Sequence, residues 1–163
     1  MDRNPLRTPF FYGEFDLSID VKNRLLVPAT IRKLVIPETH GDAFCVRVRE
    51  RVLWLYPELY YRRLANSGMR PQIAPSENIR EADHLHFALA ARVEWDNQGR
   101  VVLPDKLLRE AQLGKEVTLI GSRDHLELWN RQDWTKHRAH LFEQHAAIEA
   151  RSQVAQQEKM DRP

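Results

Sequence analysis

An acidic residue with an arginine four positions later occurs twice in similar surroundings, as Asp20-Val21-Lys22-Asn23-Arg24 and Asp96-Asn97-Gln98-Gly99-Arg100. A carboxylate opening a tight turn can accept hydrogen bonds from the turn's backbone N–H groups and can pair with a guanidinium at its end. Asn23 and Gly99 hold the fourth position, and these two residue types most readily take the left-handed conformation such a turn needs. Asp20, Asn23, Asp96 and Gly99 are therefore expected to be turn scaffold. Two roles stay open for Arg24 and Arg100: a structural partner of the carboxylate, or a projecting fork that binds phosphate or reads guanine bidentately. Lys22 makes the first turn the better contact site, because Gln98 stands in its place in the second. Arg32 and Lys33, just beyond, either extend that cationic surface or are simply solvated.

Other reactive residue types do not assemble into a site. Cys45 is the single cysteine, in an apolar stretch, which excludes an intrachain disulfide framework and suits a reducing compartment. His84 and His86 alternate as if on one side of a strand, but no cysteine or well-spaced carboxylate completes a zinc set with them. His137, His140 and His145 lack the one-turn spacing that would stack them. There is no Gly-rich phosphate loop, nucleophile elbow or paired-carboxylate arrangement. The expectation is a binding protein with no catalytic residues, cofactor or metal.

The elements that position the two turns also recur. Apolar alternation at Phe15, Leu17, Ile19 and at Ala91, Val93, Trp95 reads as a strand entering each turn. Leu25-Leu26-Val27-Pro28 and Val101-Val102-Leu103-Pro104 read as strands ended by proline, before helices at residues 29–34 and 105–113, the second stopped by Gly114. A hairpin follows in each half, Phe44 to Tyr56 and Val117 to Trp129, and then a helix. The units span residues 10–65 and 86–140, with 66–85 as a linker containing Pro71 and Pro75. A helical stripe through Leu141, Ile148 and Ala155 extends past Trp134 for five or six turns, and residues 156–163 are expected to fray. That stripe either covers the sheet or packs against another chain. One half is too thin to bury its own sheet, so two copies related by an approximate twofold are expected to share one core in a single pseudosymmetric β-rich domain spanning 1–163.

Composition limits the partners. The 163 residues are 42% apolar, enough for a packed core, and carry a net charge of only +2. Residues 1–75 hold 12 Lys or Arg against 8 acids, and the remainder 13 against 15, so any electropositive face is local. A nearly neutral protomer that binds DNA would need several copies to place small basic patches side by side. No apolar run reaches the roughly 18 residues that span a bilayer, and the start lacks a signal-peptide core, so a cytoplasmic protein without membrane contact is expected.

The segments GEFDLSIDVKNRLLVPATIRKL and ARVEWDNQGRVVLPDKLLREAQLGKEVTLIGSRDHLELWNRQDW resemble the two halves of the MraZ family of bacterial transcriptional regulators. The family hallmark, Asp, three residues, then Arg in each half, is met by Asp20 with Arg24 and Asp96 with Arg100, and the resemblance spans roughly residues 10–140. It implies a mainly β fold with α: a pseudo-twofold double swapped-hairpin (AbrB-like) barrel plus a C-terminal helix. It also implies a homo-oligomeric ring of about eight or more subunits, bound to short direct repeats in double-stranded DNA upstream of the division and cell-wall gene cluster. Such a ring would mostly repress that cluster and associate with the nucleoid. Lys22, Arg24, Arg32, Lys33 and Arg100 are the implied DNA contacts, with the N-terminal turn foremost. The rival reading is an oligomeric protein-interaction scaffold or antitoxin-like regulator. Two departures stand out: Asn23 where the family commonly has Gly, and Glu81 to Ala90 in place of an arginine-rich approach. The stretch through Arg47, Arg49 and Arg51 is unusually basic and has no assigned partner.

Overall fold

Alternation buries one side of strand β1 (Glu14–Ser18) and sends the chain through the first Asp-to-Arg turn into β2 (Arg24–Leu26). Pro28, with its fixed φ, then starts a single helical turn, α1 (Ala29–Arg32). The longer connection that follows contains another turn of helix, α2 (Pro37–His40), opened by Pro37 and ended by Gly41 at φ 83°. The hairpin β3 (Ala43–Arg49) and β4 (Val52–Pro57) leads into α3 (Glu58–Ser67). After α4 (Glu77–Asp83), the second half repeats the plan with β5 (Ala91–Glu94), β6 (Arg100–Val102), α5 (Asp105–Glu110), β7 (Glu116–Gly121) and β8 (Leu126–Asn130). The computed structural model describes residues 8–67 and 73–161, so Pro71 of the expected linker lies outside the described residues. The chain divides into two compact units at Asn130 and Arg131, and the second unit consists of α6 (Arg131–Glu143) and α7 (His145–Met160).

Six strands form one antiparallel sheet in the order β1-β7-β8-β4-β3-β5, and β2 and β6 form a separate two-stranded ribbon. The first strand of each half pairs with the third strand of the other: Phe15 lies opposite Leu119, and Val93 opposite Phe44. Exchanging the halves leaves this order unchanged. Equivalent residues meet at the centre of the exchange, Leu25 opposite Val101 in the ribbon and Trp54 opposite Glu127 where β4 meets β8. The sheet's inner face supplies Phe44, Val46, Leu53, Leu55, Leu119, Leu126 and Leu128 to the core. Leu25, Val27, Val101 and Leu103 close it from the ribbon side, with Ile31 and Leu107 from the helical turns. Each fully buried side chain of this kind contributes about 1.5–3 kcal/mol, so the ribbon is fixed to the sheet by its apolar back.

The architecture is mainly antiparallel β with C-terminal helices, as expected, and several local expectations are corrected. Helix α5 ends at Glu110, and Gln112, at φ 53°, takes the left-handed position assigned to Gly114. The Gly114 N–H instead donates to Asn130 Oδ1 at 2.8 Å. Residues 77–83, inside the expected linker, are helical because Ser76 caps Ile79 N and starts α4. His84 and His86 do not alternate on a strand. They lie in a π-helical turn, His84–Ala88, closed by the Leu89 N–H donating to His84 O at 3.2 Å. The C-terminal helix is interrupted at Gln144, whose φ of −104° and ψ of 15° leave the helical region, and it continues to Met160 through residues expected to fray. Among the described residues, no helix is long and apolar enough to cross a membrane.

Candidate nucleic-acid interface

Both Asp-to-Arg turns close with the same set of bonds. In the first, the Asp20 N–H donates to Arg24 O at 3.0 Å and the Asn23 N–H to Asp20 O at 3.0 Å. Asp20 Oδ1 accepts from the N–H of Lys22 and of Arg24, each at 2.9 Å, and Oδ2 accepts from Arg24 Nε at 2.6 Å. In the second turn Asp96 Oδ1 accepts from the N–H of Gln98 at 2.8 Å and of Arg100 at 3.0 Å, while Oδ2 accepts from Arg100 Nε at 2.9 Å. Asn23 at φ 59° and Gly99 at φ 80° supply the left-handed residue. The backbone bond from Arg24, aided by its side chain, lowers the Asp20 pKa to about 2, and Asp96 is lowered by the equivalent bonds from Arg100. Both carboxylates are charged at neutral pH. Each fixes the Nε side of its arginine and so sets the direction in which the guanidinium points.

Pairing of β2 with β6 turns the two arginines into one surface. Arg24 lies opposite Val102, and Leu26 opposite Arg100, so these four share the ribbon's outer face while Leu25 and Val101 are fully buried behind it. Leu26 and Val102 remain exposed between the arginines. Each turn is locked by the other half: the Leu103 N–H donates to Asn23 O at 2.8 Å, and the Val27 N–H to Gly99 O at 3.0 Å.

The charges around the two turns differ. Lys115 Nζ donates to Asp20 O at 3.0 Å, and Arg109 joins Lys115 and Asn23 along a cleft of about 470 Å³ beside the first turn, where Asp105 pairs with Arg109 at 2.9 Å. With Lys22 exposed at its tip, cations outnumber acids around the first turn. The corresponding cleft of about 430 Å³ at the second turn is lined by Asp42, Glu94 and Asp96. Arg32 lies in that second cleft, with its Nε donating to Val27 O at 3.1 Å and its guanidinium against Gly99, so it braces the second turn and does not extend the first. Lys33 beside it is exposed. Sequence reading missed Lys115 and Arg109 because they belong to the second half and reach the first turn only through the exchange of strands. The signal available was their occurrence around Gly114, directly before β7, the strand that pairs with β1.

The model of a family described as MraZ protein matches residues 86–157. A transcriptional regulator MraZ of Neisseria meningitidis is 34% identical over 125 residues, covering 76% of this chain and 82% of the relative. A regulator of the same name from Dehalococcoides mccartyi is 33% identical over 124 residues, covering 76% and 84%. One from Pediococcus pentosaceus is 32% identical over 124 residues, covering 76% and 83%. With identity above 30% over most of each relative, and with the paired turns built alike, the chain belongs to the MraZ family, a family of transcriptional regulators and not of enzymes.

Proposed function

We propose that this chain is a sequence-specific DNA-binding regulator that assembles as a homo-oligomeric ring and represses genes by occupying short direct repeats upstream of the division and cell-wall cluster, at the nucleoid. The observation that carries the reading is the β2–β6 ribbon. Its outer face holds Arg24 and Arg100 on carboxylate-braced turns, and an antiparallel ribbon is one of the two elements that fit the major groove. Arg24, with Lys22, Lys115 and Arg109 around it, is the leading contact. Arg100, Arg32 and Lys33 are subsidiary ones: Arg100 is paired with Asp96, and Arg32 lines the acidic cleft of the second turn. The pairing of each half's first strand with the other half's third supports a double swapped-hairpin, AbrB-like barrel. Because one protomer offers few phosphate contacts, a ring that arrays several ribbons along repeats raises the effective concentration of each weak contact.

Binding of a duplex from the upstream region, by the intact protein and by Arg24→Ala at matched assembly mass, tests this. The substitution is expected to cost about 1–3 kcal/mol of discrimination between that duplex and a scrambled one. Equal discrimination by both proteins would remove Arg24 as the reading residue. A second reading, an antitoxin-like or scaffolding regulator, draws on the exposed Phe142, Val154 and Met160 of the helical unit. A scaffold would show no duplex preference at any salt concentration, whereas phosphate-led binding weakens steeply as salt rises.

A further inference from the structure

Strand β3 alternates so that Phe44 and Val46 face the core, while Cys45, Arg47 and Arg49 lie on the sheet's other side. Arg47 is opposite Trp54 in the register, and the guanidinium carbons of Arg47 and Arg49 lie 5.5 and 4.6 Å from the centre of that indole. His125 stacks on the same ring at 4.2 Å, so the indole is packed by the imidazole as well as by the two guanidiniums. Acids on this face are already engaged: Glu58 with Arg92, and Asp124 and Glu127 with His125. Among the described residues, neither Arg47 nor Arg49 has a carboxylate within ion-pair distance, and Arg47 Nε is shielded from water without a hydrogen-bond partner.

Two like charges are thus held against one indole without a carboxylate partner, Arg47 partly buried and Arg49 exposed. Stacking pre-orients both planar forks at little entropic cost, which suits bidentate pairing with two oxygens of a phosphate. Alternate residues on a strand are about 6.6 Å apart, close to the separation of successive phosphates along a nucleic-acid strand. The ribbon lies on the core side of the sheet and these arginines on the opposite side, so one protomer cannot apply both to the same straight segment of duplex.

We propose that the sheet's outer face is a second, sequence-independent DNA contact, in which Arg47 and Arg49 bind backbone phosphates of a segment other than the one the ribbon reads. This rests on the DNA-binding reading above. The test measures affinity for random-sequence and upstream-region duplexes between about 50 and 200 mM salt, where each phosphate contact contributes roughly 0.9 to the log–log slope. Assembly mass is followed in parallel for the full-length chain, for Arg47→Gln with Arg49→Gln, and for Arg47→Lys with Arg49→Lys. The glutamine pair is expected to lower the random-duplex slope by about 1.8, so that the wild type loses roughly ten-fold more affinity than the variant over that range. The lysine pair keeps the slope, and the preference for upstream over random duplex is unchanged in both. A glutamine-pair slope equal to wild type overturns the proposal, as does a loss accompanied by a change in assembly mass, which would make the face a contact between subunits. Arg24→Ala with undiminished preference counts against the ribbon alone. A wild type that binds neither duplex ends both readings.

Discussion

His125 carries chemistry that the turns do not use. It is 7% exposed, with Nδ1 2.8 Å from Asp124 Oδ1 and Nε2 3.1 Å from Glu127 Oε1. Asp124 also accepts from the Tyr60 hydroxyl at 2.8 Å, and Glu127 from the Trp129 indole at 2.9 Å. Carboxylates on both ring nitrogens call for a donor at each, which only the imidazolium provides. Burial opposes its charge, but the two acids outweigh burial and raise the His125 pKa above its ordinary 6.5, while Asp124 and Glu127 are lowered against the same opposition. A raised folded-state pKa means that the stabilisation is complete below the unfolded value and is lost as pH rises through the folded one. The depressed carboxylates contribute above their unfolded values and lose that contribution as pH falls through the folded ones. Urea denaturation across pH is therefore expected to give greatest stability between those two ranges, with an alkaline decline set by His125. His125→Ala leaves two mostly buried carboxylates without their cation, which should cost about 3 kcal/mol near neutrality and abolish the decline that begins above pH 6.5, leaving the one at higher pH from Cys45 and Tyr56, both raised by burial. If the first decline persists in the variant, another group titrates there. Asp124, His125 and Glu127 are neighbours in sequence, but Tyr60 meets Asp124 across 64 positions of chain, which no local pattern shows.

At the scale of elements, the two turns share one set of bonds but differ in tolerance. A Cβ on residue 99 would come within 2.4 Å of the Arg32 guanidinium carbon, and the φ of 80° already disfavours any side chain. Gly99→Ala is expected to cost about 1–2 kcal/mol in thermal or urea unfolding, whereas Asn23→Gly should shift stability by less than about 0.5 kcal/mol. If Gly99→Ala were tolerated as well as Asn23→Gly, the left-handed conformation at residue 99 would carry no strain. Both turns were legible in the sequence because their requirements are local: a carboxylate, a left-handed residue and four positions of spacing. The stop of α5 was not. Asn130 occupies the Gly114 N–H from the neighbouring strand β8, and the left-handed position passes to Gln112. Likewise the π-helical turn at residues 84–88 looked like a strand because alternating His84 and His86 satisfy a period of two as easily as they fit a helix.

For the body of the molecule, the exchange of strands makes the halves mutually dependent. Leu25 and Val101 are fully buried at the centre of the ribbon, and each edge of the sheet is a strand of one half paired to the other. Leu25→Ala is expected to destabilise by about 2–5 kcal/mol, the range for a large buried side chain whose cavity cannot collapse. The loss should fall on both halves together. Fluorescence of Trp54 and Trp95, each followed as the sole tryptophan with the other three of the chain's four replaced by Phe, should report one common midpoint before and after the substitution. Separate midpoints would show halves that fold independently.

By itself the sequence determined the duplication, the turn scaffold of Asp20, Asn23, Asp96 and Gly99, the prolines that start the helical turns and the strands that follow, because each is written in side-chain types a few positions apart. Tertiary structure alone decided which half each turn leans on. Through pairing between the halves it put Lys115 beside Asp20 and Arg109 in the cleft with Asn23, set Arg32 over Gly99, and placed Arg47 and Arg49 on the face opposite Arg24. Charge near a site falls off with distance in space, and that distance is fixed by which strands meet, a choice no local pattern encodes.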